Sequence, residues 1–195
     1  FDVLTNDLQI YIPVLEKSTI VMDIQISDSI MKKKGETDLT VLKDMNGFSK
    51  CAGNTACEAN ATNLANTQLM INTNGTANFL GGGDRLRAYP QGRFQGAHMI
   101  YFATEFRWNF SDSQGSKFDS LFFQDLVDDM QLAFFYENGS ITEKKSDLGK
   151  TSKSSFGTGF RLVNASGNIY RADVASGDEG TNFTLIIQYP WTYRL

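Results

Sequence analysis

The sequence holds little of what catalytic, metal-binding or helical membrane proteins are built from. It has one histidine, two cysteines and three prolines in 195 residues. A single histidine, His98, with no Gly-X-Ser-X-Gly elbow, leaves no Ser-His-Asp constellation. Cys51 and Cys57 with that one distant histidine are too few ligands for a zinc site, so neither metal nor cofactor is expected. Gly81-Gly82-Gly83 is followed by no Walker lysine-serine pair and opens no helix, which removes a phosphate cradle. Asp128 and Asp129 are adjacent, hence on opposite faces of a strand rather than around one substrate. The chain reads as a non-enzyme. Its formal net charge of -4 argues against a general nucleic-acid surface, and the run Lys32 to Lys34 reads as a solvated loop. No apolar run is long enough for a transmembrane helix. That last absence excludes helices only, because a membrane β-strand needs about 9–11 residues and hides its hydrophobicity in alternation.

Alternation is what the sequence has in abundance. From His98 to Phe110 the even positions are mostly apolar (Ile100, Phe102, Phe106, Trp108), while the odd ones include Glu105, Arg107 and Asn109. Ile20, Met22, Ile24 and Ile26 oppose Asp23, Gln25 and Ser27. Met130, Leu132, Phe134 and Tyr136 oppose Asp129, Gln131 and Glu137. Phe156, Phe160 and Leu162 oppose Arg161, and Tyr170 and Val174 oppose Arg171 and Asp173. Leu8 to Val14 and Phe183 to Trp191 repeat the pattern. Segments near 7–15, 18–27, 66–73, 98–110, 127–137, 154–163, 168–176 and 181–191 are expected as antiparallel strands.

Period two does not say which face is inside. A soluble barrel of lipocalin type, with its apolar face inward around a small apolar ligand, has the same alternation. Charge placement favours the opposite arrangement. Glu105, Arg107, Glu137, Arg161, Arg171 and Asp173 come from four successive candidate strands and share the polar face, where opposite signs pair across neighbours. The other face is almost free of charge, as a lipid-facing surface must be, since Lys or Arg there costs about 2–4 kcal/mol at the midplane. Trp108, Phe110, Trp191 and Tyr193 fall near strand ends, where aromatic girdles sit.

The loop Gly81 to Ala97, rich in glycine and arginine, runs directly into the strand that starts at His98. Leu86-Arg87-Ala88-Tyr89-Pro90-Gln91-Gly92-Arg93-Phe94, continuing to Glu105-Phe106-Arg107-Trp108, resembles the loop and following strand of the BamA/TamA-type bacterial surface antigen barrels. Phe135-Tyr136-Glu137-Asn138-Gly139 resembles that family's phenylalanine, acid and glycine strand motif. Gly157 to Leu162 followed by Tyr170 to Asp173 resembles its closing hairpin.

The resemblance implies an all-β fold, an antiparallel transmembrane β-barrel in which residues 1–195 supply about eight strands, the C-terminal half of a larger barrel of about sixteen. It places the loop, residues 81–97, in the lumen, with Arg87, Tyr89 and Glu137 as its latch and Arg87 paired with Glu137. Gly92, Arg93, Glu105, Arg107, Phe135, Gly139, Arg161, Arg171 and Asp173 support the motif. Ala88 stands where the family has glycine, so its φ is expected to stay below zero. The family setting implies the bacterial outer membrane, with the lipid bilayer, the missing N-terminal strands and POTRA domains as partners. Unfolded outer-membrane proteins or accessory lipoproteins would be substrates or helpers in assembly and translocation. A membrane anchor or secretion barrel for an upstream patatin-like lipase is the other use of such a barrel.

The chain opens in strand-like sequence at Phe1 without a leader peptide, which points to a fragment or mature remnant. Residues 28–66 are expected as an extracellular loop whose Cys51 and Cys57 close a small disulfide ring in an oxidising compartment.

Overall fold

In the computed structural model, residues 1–110, 129–163 and 169–188 are described. Seven strands form one sheet in sequence order: β1 (Asp2–Leu15), β2 (Ser18–Ile30), β3 (His98–Asn109), β4 (Asp129–Thr142), β5 (Lys153–Val163), β6 (Ile169–Gly177) and β7 (Gly180–Gln188). Every pairing is antiparallel. The sheet is open among the described residues, with β1 and β7 at its edges. Strands of 9 to 14 residues exceed the usual soluble length of about 5–6.

Register carries the alternation across the sheet. Ile24 pairs with Phe102, Phe106 with Phe134, Leu132 with Phe160, and Tyr170 with Ile187, so one face is a continuous apolar band. Its side chains stand free: Phe134, Phe156, Val174, Phe183, Leu185 and Ile187 are all exposed. The other face does the reverse. Glu105, Glu137, Ser155, Arg161 and Asp173 are buried there, and the buried apolar cluster of Leu80, Leu86, Tyr89, Met99, Tyr101 and Phe135 lies between this face and the loop. Soluble domains bury apolar side chains and expose charged ones; this sheet inverts the rule on its two faces.

Two helices sit in the connection between β2 and β3: α1 (Leu39–Met45) and α2 (Thr55–Asn74). The expected strand at 66–73 is therefore wrong, since those residues are the last turns of α2. The Asn54 side chain accepts a hydrogen bond from the Cys57 amide at 3.1 Å and opens the helix, and Gly75 closes it. This misreading has a physical cause. α2 buries only Ala61 and Ala65, so it carries no apolar stripe to mark its period against the local alternation of Leu69 and Ile71. Among the described residues the count is seven strands where about eight were expected, and β2 runs past Asp28 to Ile30. Cys51 and Cys57 are joined in a disulfide that ties the turn after α1 to the first turn of α2. No helix among the described residues is long and apolar enough to cross a membrane, which says nothing about strands. Trp191 and Tyr193, and the ends of the expected strands at 127–128, 168 and 189–191, lie outside the described residues.

Candidate functional site

The segment from Ala77 to Ala97 folds back over the inner face of the sheet. Its root is a short antiparallel bridge between Leu80 and Phe94, closed by Leu80 N–H to Phe94 O at 2.9 Å and the reverse at 3.0 Å. Beyond it, Gly81 and Gly82 take φ of 99° and 118°, angles that only glycine adopts freely, and turn the chain inward. Leu86 then takes φ of 50°, an uncommon angle for leucine, held by complete burial of its side chain. Ala88 is not among the residues with positive φ, so alanine is accommodated there without strain.

The turn at Leu86 aims both the amide and the guanidinium of Arg87 at the sheet. Arg87 N–H donates to Glu137 Oε2 at 2.7 Å and Arg87 Nε to Glu137 Oε1 at 2.9 Å. Nη1 donates to Asp173 Oδ2 and Nη2 to Glu105 Oε2, each at 2.9 Å. One guanidinium thus holds acids from β3, β4 and β6. Its planar fork can do this where a lysine point charge cannot. The Phe135 ring closes the site from below, its centroid 3.5 Å from the guanidinium carbon, a cation–π contact in a desolvated place.

The neighbours are arranged to leave room. Gly157 and Gly159 of β5 lie opposite Phe135 and Asp173 across the pairing. A Cβ at Gly157 would come within 2.6 Å of Phe135 Cζ, and one at Gly159 would collide with the Asp173 carboxylate. The Gly157-Thr158-Gly159 motif is thus a cleared floor beneath the arginine. Gly139 does the same for the loop, since a Cβ there would lie 2.7 Å from Leu80 Cδ1.

Around this centre lie the remaining charges. Arg107 Nε reaches Glu105 Oε1 at 2.6 Å, and Arg161 pairs with the same oxygen. Arg171 Nε donates to Asp173 Oδ2 at 2.7 Å, while its Nη2 donates to the Gly83 carbonyl at 2.7 Å. Four guanidiniums and three carboxylates are therefore interleaved, so no acid is left without a cation. Burial works against the charge on Arg87, and the carboxylates of Glu137, Glu105 and Asp173 outweigh it, holding its pKa above the ordinary arginine value. The cluster borders a polar hollow of about 420 Å³, into which Asp7, Asp23 and Arg85 also face.

The sequence placed all three acids on the polar face but named only Glu137 as the loop's partner. Four participants escaped it. Tyr101 OH donates to Glu137 Oε1 at 2.9 Å, so this carboxylate receives three hydrogen bonds. Ser155 Oγ accepts from the Ala88 amide at 3.0 Å, Asn182 Nδ2 donates to the Arg87 carbonyl at 2.9 Å, and Arg85 Nη1 donates to Gln25 Oε1 at 2.8 Å. Tyr101 was within reach of the pattern, since it shares the odd, inward positions of β3 with Glu105 and Arg107.

Tyr89 is held at its own place on the inner face, against β5. It is fully buried, its ring meets Phe94 edge-on at 5.0 Å, and its hydroxyl donates to the Ser154 carbonyl at 3.1 Å. Arg93 lies outside the cluster, at the rim, in a two-pronged pair with Glu179 at 2.8 and 3.0 Å. Those hydrogen bonds to Glu179 raise its pKa. Gly92, at φ of 66°, makes the turn that carries Arg93 there.

Among the described residues no group of three or more histidine, cysteine, aspartate or glutamate side chains is placed to hold a metal ion. No protein-family model matches this chain, and no curated protein matches it in sequence.

Proposed function

We propose that this chain is the C-terminal part of a transmembrane β-barrel of the surface-antigen type, working in protein assembly or translocation at a bacterial outer membrane. The observation that carries the reading is the inversion of the sheet around Arg87. A loop arginine is buried with acids from three strands on one face, while phenylalanine, leucine and isoleucine side chains stand exposed on the other. An exposed apolar face of this extent needs a covering, and a lipid bilayer covers it without any matching surface. Among the described residues no strand pairs with the outer edges of β1 and β7, so closure in a bilayer calls for further strands there. The Arg87 loop acts as an internal latch that fixes strands β3, β4 and β6 in register. A barrel that opens beside its last strand to pass a client needs such a fixed reference on its inner wall.

The test is reconstitution. The full-length protein is placed in liposomes and the folding of an unfolded outer-membrane barrel is followed by protease resistance, with Arg87→Ala as the comparison. The expected result is accelerated client folding that Arg87→Ala abolishes. A chain that stays folded and monodisperse in buffer without detergent would overturn the membrane reading.

A further inference from the structure

The geometry points to Asn182, Glu179 and Tyr89 as positioning residues that bind the edge strand β7 to the loop, so that the loop holds this strand from inside the sheet. β7 pairs only with β6 among the described residues, which gives an edge strand half the main-chain hydrogen bonds of a central one. The loop supplies a second hold at three depths. At the rim, Arg93 grips Glu179 in the two-residue turn between β6 and β7. Just inside, the Asp178 amide donates to Tyr89 Oη at 3.2 Å while the same hydroxyl donates to Ser154 on β5, so one phenol spans the turn and its neighbour. Deeper, Asn182 Nδ2 donates to the carbonyl of Arg87 itself.

The last contact joins the two systems. The carbonyl that receives Asn182 belongs to the residue whose amide and guanidinium are fixed by Glu137, Glu105 and Asp173. Displacing Arg87 therefore withdraws the acceptor from β7, and the first half of the strand loses its inner support. This extends the latch reading of the loop to a strand that carries none of the latch acids.

Hydrogen exchange on the folded full-length chain, in whichever medium keeps it folded, tests this strand by strand. Asn182→Ala is expected to speed exchange of the Thr181 to Leu185 amides about fivefold, the scale of one neutral hydrogen bond, and to leave β3 to β5 unchanged. Arg93→Glu and Glu179→Arg are each expected to speed exchange at the β6–β7 turn, and the double exchange to restore it. Unchanged exchange in Asn182→Ala, or acceleration spread evenly over all strands, would overturn the inner contact. Failure of the double exchange to restore protection would overturn the rim contact. Glu179→Gln, which keeps the side-chain shape, gives the same rim readout if the charge reversals do not fold. Client folding is not measured here, so failure of this inference and failure of the proposed function are distinguishable.

Discussion

Arg87 and Arg93 belong to one loop and each meets carboxylate through its guanidinium, yet they are different structural devices. The Arg87 side chain is 6% exposed and faces acids from three strands; the Arg93 side chain is 50% exposed and faces one acid in a turn. Solvent screens the second far more than the first. The difference lies in what loss leaves behind. Removing Arg93 returns Glu179 to solvent, whereas removing Arg87 leaves buried acids short of a cation and an aromatic face uncovered.

Breaking the buried member has the largest expected effect. Arg87→Ala should cost about 3–5 kcal/mol, the usual penalty for breaking a buried ion pair from one side, measured as a lowered unfolding midpoint and faster proteolysis between Ala88 and Phe94. Arg87→Lys should recover only part of it, because an ammonium cannot meet three separated carboxylates at once. Loop protection unchanged in Arg87→Ala would remove the contrast altogether.

A charge placed on the opposite face asks what medium that face meets. Phe134→Arg should cost about 2–4 kcal/mol in the reconstituted protein if the band faces lipid, read from the unfolding midpoint in bilayers, and almost nothing if it faces water. Tyr101→Phe deletes one of the three hydrogen bonds to Glu137 and should cost about 1 kcal/mol by the same measurement. Arg93→Ala comes last. It should leave the global unfolding midpoint unchanged at any salt concentration, and a clear shift would mean that the rim pair is as important as the buried one.

The two sites were not equally legible in the sequence. Alternation found all seven described strands and the inward face, because period two is a local signal that a strand cannot hide, and it added one false strand at 66–73. It also put Glu105, Glu137 and Asp173 on one face. It could not choose among them, since their distances from Arg87 along the chain are 18, 50 and 86 residues and only the pairing register brings them together. The resemblance supplied Glu137 as the partner of Arg87 and put Tyr89 in the same latch without naming its contacts. Asn182 had no signal beyond its inward parity in β7. The helix α2 was lost for the opposite reason: its alanine and asparagine sequence buries too little to impose a period, and its end signals, Asn54 and Gly75, were the only readable ones.

The placing of Glu137 in β4 also bears on how the molecule assembles. Slipping β4 by one residue would send Glu137 to the outer face and present Tyr136 or Asn138 to the loop. The Arg87 amide and guanidinium would then lose the one acid that receives both. Since the other two acids come from β3 and β6, the loop finds all its partners only after the intervening strands have zipped in the correct frame. The docked loop is thus a check on the frame of the sheet beneath it: its full set of partners exists only where β3, β4 and β6 stand in the observed register.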